Sequence, residues 1–138
     1  MTKRVGRRGA ILGAFGTVWL LYGYSLLVEP IPGTAGLEVL LHVAAFDVWA
    51  WAWMVCGGLA VVCAFLPPPA DWPGFPALYL PGVWWGLSYL VSWWPLGDNP
   101  RGWIQAAIWG AMLGAIRIVA GWPEPPRGDG SEHGNAER

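Results

Sequence analysis

The first hydrophobic run, Ala10 to Val28, constrains this chain more than any other feature. Its nineteen residues carry no charge and directly follow a basic cluster of Lys3, Arg4, Arg7 and Arg8. A helix rises ~1.5 Å per residue, so about 20 apolar residues span the hydrocarbon core of a bilayer. The run is longer than the ~7–15-residue hydrophobic region of a secretory signal, and no A-x-A-like site closes it. Arg7-Arg8 is similar to the arginine pair of a twin-arginine signal, yet the length favours a retained signal-anchor. Residues 10–28 therefore read as the first transmembrane helix, behind a basic tail at 1–9.

The rest of the chain repeats the pattern. Glu29-Pro30-Ile31-Pro32-Gly33 stops the first helix, because proline lacks the N–H a helix needs and glycine loosens the backbone. Within the segment 29–47, Leu37–Phe46 places Glu38 and His42 four apart, on one face of a short interfacial helix. Asp47 is a suitable N-cap for a second charge-free run, 48–66, which Pro67-Pro68-Pro69 ends. After a short loop at 67–72, capped by Asp71 or a neighbour, a third run covers 73–94, and its interior Pro81 predicts a kink near 77–81. A loop at 95–100 follows. Asn99-Pro100 there is a helix-start signal, with Asn as cap and Pro in the first position. The fourth run is 101–121. The remaining residues, 122–138, are Pro, Gly and charge, which predicts a disordered tail.

Composition agrees with this division. Of 138 residues 55% are hydrophobic and 12% charged, against about 25% charged in soluble domains. The expected fold is thus an all-α integral membrane protein with four transmembrane helices. A net charge of −1 offers no field that would attract nucleic acid. Placing the N-terminus in the cytoplasm puts Lys3, Arg4, Arg7, Arg8, Arg117, Arg127 and Arg138 on the inner side and only Arg101 outside. Glu29, Glu38 and Asp47 then fall outside. This positive-inside bias predicts both termini in the cytoplasm, in an inner (cytoplasmic) membrane. Twelve tryptophans suit interfacial anchoring. Trp49, Trp51, Trp93, Trp94 and Trp103 fall near outer helix ends, and Trp72 and Trp122 near inner ends. Trp19, Trp84, Trp85 and Trp109 lie deeper, in contact with lipid or protein.

In lipid, helices associate where small residues let backbones approach. The first helix carries Gly9, Gly13, Gly16, Leu20, Gly23 and Leu27 at alternating spacings of four and three, a continuous stripe. The third offers Gly82-x-x-x-Gly86, the fourth Ala107, Gly110, Gly114 and Gly121, and the second a weaker series of Ala50, Gly57, Ala60 and Ala64. These seams serve packing within one bundle or association into a homo-oligomer. Arg117, the one charge inside an apolar run, shares the small-residue face of the fourth helix. It either snorkels to cytoplasmic phosphates or acts as a lumen- or partner-facing cation. Pairing with Asp47 is excluded, since that residue lies at the opposite side.

Recognisable chemistry is missing. Glu38 and His42 have the i, i+4 spacing of a metal pair, but a solvated amphipathic face accounts for them, and His133 falls in another compartment. Cys56 and Cys63 are ~10 Å apart along a helix, too far for a disulfide. No nucleophile elbow, phosphate loop or CxxC occurs. No run of carboxylates crosses the membrane as in a proton pump. Ser88 and Ser92 share a face and are expected to bond the carbonyl that Pro81 frees. The sequence thus points away from an enzyme, a cofactor or a metal, and toward the bilayer itself as the principal partner.

The stretches RGAILGAFGTVWLLYGYSLL and AGWPEP resemble small multi-spanning membrane proteins of high-GC actinobacteria and their phages. The resemblance covers residues 8–126 and rests on helix spacing and Gly/Trp usage. Some phage members are holin-like, which implies an oligomer that opens the host membrane. The alternatives are a non-catalytic accessory subunit of a membrane complex and, more remotely, a small-solute channel or transporter subunit.

Overall fold

The computed structural model describes residues 6–29 and 35–121. The proline–glycine break at 30–33, the tail at 122–138, Lys3 and Arg4 lie outside the described residues. Over the described residues the protein is all-helical, with no strand. Its elements are α1 (Arg7–Val28), α2 (Glu38–Val43), α3 (Phe46–Cys63), α4 (Gly74–Trp93) and α5 (Gly102–Ala120). Three of them, α1, α3 and α5, are long and apolar enough to cross a membrane. The fourth long helix, α4, has no charged residue, but its Trp, Tyr, Ser and Pro make it less apolar than the other three.

The helix starts differ from expectation in an instructive way. Asp47 does not cap α3: Ala45 holds that place and Asp47 sits inside the first turn, where a carboxylate favours the positive end of the helix dipole. Arg101, not Asn99, holds the cap position of α5. The Asn99 side chain instead accepts from the Arg101 N–H at 3.1 Å, while its carbonyl accepts from the Gly102 N–H at 3.0 Å. Asn99 therefore shapes the turn two residues ahead of the helix. Asp71 likewise leaves the cap of α4 to Pro73, because its carboxylate is engaged elsewhere. Through Pro81, α4 continues as one helix.

Neighbouring long helices run antiparallel. The partners of Gly13, Gly16 and Gly23 on α3 fall progressively from Ala64 to Gly57 to Ala50. The same descending register holds between α4 and α5, where Gly82 and Gly86 face Leu113 and Trp109. Trp53 and Trp49 of α3 meet Trp85 of α4, which closes α1, α3, α4 and α5 into an up-down-up-down bundle. The short α2 lies against α4. Its Leu40 carbonyl accepts from the Trp49 indole at 3.0 Å, and the Gly36 carbonyl just before it accepts from the Ser88 hydroxyl at 2.7 Å. Gly36 has φ +95° with the Tyr89 ring directly over it, a position that admits no side chain.

The outer surface is also apolar. Val48, Trp51, Val55, Leu59 and Val62 form an exposed face along α3, and Val18, Leu21 and Val28 do so on α1. A helix that is apolar all round belongs in a core or in a membrane. Hydroxyls on these helices bond to their own turns, Thr17 to the Gly13 carbonyl and Ser25 to the Tyr22 carbonyl, as a medium without water requires.

Candidate functional site

Four features of the bundle carry its specific chemistry: a glycine seam, a tryptophan core, a charged end and a side groove.

The seam lies between α1 and α3. A Cβ at Gly16 would stand 2.8 Å from the Gly57 carbonyl oxygen, and one at Gly57 would stand 2.6 Å from that of Gly16. At Gly23 the obstruction is the Ala50 carbonyl, at 2.7 Å. Backbone touches backbone here, the arrangement small residues permit in membrane helices. Gly9 is buried, and Gly13 faces Ala64 at an ordinary 3.6 Å. Gly82 and Gly86 take the Leu113 and Trp109 side chains of α5. Gly110 and Gly114 differ: nothing lies within 4 Å of a Cβ at either position. Of the two uses left open for these seams, packing within the bundle does not account for this pair among the described residues. Together with Ala107, Ala111 and Arg117 they form an exposed face of α5, and α4 is met instead by Trp109, Leu113 and Ile116.

The core is aromatic. Trp53 is wholly buried and packs edge-on to Trp19 (5.0 Å between ring centroids), Tyr22 (4.9 Å) and Trp85 (5.3 Å), with Trp109 at 5.5 Å. Edge-to-face pairs of this kind add to area burial because ring edges and faces carry opposite partial charge. Two indoles find acceptors: Trp85 donates to the Tyr22 hydroxyl at 3.1 Å, and Trp19 donates to the Leu78 carbonyl at 3.1 Å. The Trp53 indole nitrogen has no partner among the described residues. The carbonyl that Pro81 deprives of its helical donor is that of Ala77, four residues earlier, and Trp19 braces the helix one residue on, at Leu78. Ser88 and Ser92 do not serve it as expected: Ser88 bonds Gly36 instead, and the Ser92 hydroxyl is buried without a partner among the described residues. Both serines follow Pro81, whereas the carbonyls a proline frees precede it. The Trp belts are likewise revised. Trp51, Trp72, Trp93, Trp94 and Trp103 are exposed near helix ends, but Trp49 joins the core; Trp84, expected deeper and against lipid or protein, is exposed in mid-helix.

The charges divide by end. Among the described residues, Arg7, Arg8 and Arg117 stand at one end with the single carboxylate Asp71; at the other stand Glu29, Glu38, Asp47 and Asp98 with Arg101. Arg8 pairs with Asp71, Nε to Oδ2 at 3.1 Å and Nη2 to Oδ1 at 3.4 Å. Its guanidinium carbon also lies 4.9 Å from the centre of the Phe75 ring. The Asp71 side chain is only 3% exposed and that of Arg8 18%. This pair ties the start of α1 to the loop before α4. At the opposite end, the Glu38 carboxylate turns back to accept from the Gly36 N–H at 2.8 Å, and the His42 ring meets the Glu38 carbonyl at 2.7 Å. Glu38 is spent on the turn before its helix and His42 on the helix itself, and no set of three or more metal-ligating side chains converges among the described residues.

The groove lies on the side of the bundle, between the start of α4 and the end of α5. It encloses about 440 Å³ and is walled by Phe75, Tyr79 and Leu80 on one side and by Ile116, Arg117 and Ala120 on the other. Arg117 is exposed at its edge, three residues before the end of α5.

No protein-family model, curated protein or solved structure matches the chain.

Proposed function

We propose that the protein is a non-catalytic accessory subunit that crosses the membrane four times, with both termini in the cytoplasm. The fourth crossing is supported by α4, whose twenty charge-free residues span about 30 Å and lie antiparallel between α3 and α5. Packing along two candidate spans supports a crossing beside them. The orientation is supported by the charge division among the described residues: Arg7, Arg8 and Arg117 share the end assigned to the cytoplasm, and the carboxylates there other than Asp71 share the opposite end with Arg101.

The observation that carries the accessory role is the contrast between two glycine rows. The α1 row is consumed inside the bundle, while Gly110 and Gly114 of α5 face outward beside Ala107 and Ala111. Small residues on an outer face let a partner helix approach, and the surrounding Ile104, Ile108 and Ile118 suit lipid or helix contact rather than a water-filled lumen. The direct test is co-purification in mild detergent. Wild type is expected to bring down a stable partner, and Gly110→Leu with Gly114→Leu to lose it without loss of folding. Recovery of wild type only as a lone monomer would sink the reading. Self-association through this face, accompanied by membrane depolarisation on expression, would favour the holin-like alternative.

A further inference from the structure

We propose that the α4–α5 groove seats one anionic phospholipid of the surrounding leaflet, its phosphate on the Arg117 guanidinium and an acyl chain along the apolar walls. The proposal rests on the membrane-spanning reading of α4 and α5. Three observations lead to it. The walls are largely apolar, with the Tyr79 phenol, and carry charge only at one corner, where Arg117 stands, so the fitting occupant is apolar along most of its length and anionic at one end. The volume of about 440 Å³ falls within the ~300–1,000 Å³ of ordinary small-molecule sites. Among the described residues, the only carboxylate at this end is Asp71, which Arg8 already holds, so Arg117 has no acidic neighbour to satisfy it from within the bundle.

Position selects the lipid over other occupants. Arg117 lies one turn from the end of α5, where a guanidinium reaches headgroup depth while its methylenes stay in hydrocarbon. Planar guanidinium matches phosphate oxygens with two parallel N–H donors, which ammonium cannot do. Basic pockets between membrane helices on the cytoplasmic side hold anionic headgroups in this manner. Phe75 reinforces the arrangement: one element of the groove wall is also the ring over which the Arg8 guanidinium lies. The groove floor is thereby fixed to the Arg8–Asp71 pair.

The experiment is native mass spectrometry of the full chain released from nanodiscs of mixed phosphatidylglycerol and phosphatidylcholine with identical acyl chains. Wild type is expected to retain one phosphatidylglycerol in preference to phosphatidylcholine. Arg117→Gln should reduce that preference about fivefold, the worth of one basic group near a charged surface, and Arg117→Lys should restore part of it. Leu80→Trp, a change at an exposed wall residue, should lower retention of both lipids. Equal retention of the two lipids by wild type, or a preference unchanged in Arg117→Gln, overturns the proposal. So does displacement of the lipid by millimolar inorganic phosphate, which would mark a simple anion site. If a chain ending at residue 121 gains phosphatidylglycerol that the full chain lacks, the tail occupies the groove and the proposal also fails. Alkaline carbonate extraction of membranes from the same cells separates this failure from that of the spanning reading. Release of the protein into the supernatant would remove the premise, whereas retention without lipid preference rejects the lipid site alone.

Discussion

Arg8 and Asp71 differ in how much each depends on the other. The Asp71 side chain is nearly inaccessible, so removal of Arg8 strands a buried carboxylate; Arg8, at 18% exposed, can swing toward water when Asp71 is lost. Breaking a buried pair costs about 3–5 kcal/mol when the remaining charge has no escape. Arg8→Gln is therefore expected to lower the unfolding temperature in detergent by more than Asp71→Asn does. Equal losses would argue against this asymmetry. A similar comparison applies to the tryptophans. Trp19→Phe, Trp53→Phe and Trp85→Phe remove similar volume, but only Trp19 and Trp85 give up a hydrogen bond, worth about 1 kcal/mol. Trp53→Phe should be the mildest of the three in thermal unfolding, even though Trp53 is the most central. Neither finding was legible in the sequence. Arg8 and Asp71 lie 63 residues apart, and nothing near either one announces the other. Trp53 sits among Trp49 and Trp51 with no local sign of which indole turns inward. Depth along a helix can be read from a sequence, but rotation about its axis depends on which neighbour arrives.

The helices were legible for a plain reason: charge-free runs bounded by proline and charge leave few alternatives, and each long helix falls within a few residues of its run. Their ends were less so, since Asp47, Asp71 and Asn99 each had a second possible role and took it. The glycine rows expose the same limit. Those of α1 and α5 have nearly the same spacing, yet one meets backbone and the other, at Gly110 and Gly114, meets nothing among the described residues. Periodicity identifies a face that permits close approach; it does not say what approaches. The two rows should respond oppositely to alanine. Gly16→Ala and Gly23→Ala force α1 away from α3 and should destabilise the fold by about 1–3 kcal/mol, as overpacking does. Gly114→Ala should be neutral, or stabilising by up to about 1 kcal/mol through helix propensity. Thermal denaturation of the purified protein in one detergent would compare them directly, and a destabilising Gly114→Ala would place that face inside the fold.

For the whole molecule, the decisive quantity is the parity of its crossings. Four spans return the C-terminus to the side of the N-terminus, and three do not. Fluorescent-protein fusions at the C-terminus should be bright in the cytoplasm, while alkaline phosphatase fused after Gly97 should be active on the far side. A dark, phosphatase-active C-terminus would mean three crossings, with α4 lying otherwise. The sequence made α4 legible as a charge-free run but not as one of the more apolar helices, because Trp, Tyr and Ser serve its contacts with α2, α3 and α5 and lower its hydropathy in doing so.

The link between α1 and Asp71 also has a consequence in time. Once α3 has emerged from the ribosome, both halves of the Gly16–Gly57 contact are available, so α1 and α3 can meet before the rest of the chain has followed. The ion pair comes later, since Asp71 is made only after the triple proline. Synthesis order thus separates two contacts that the finished bundle presents together: the one between α1 and α3 becomes available first, and the start of α1 can be locked only when the loop leading into α4 has emerged.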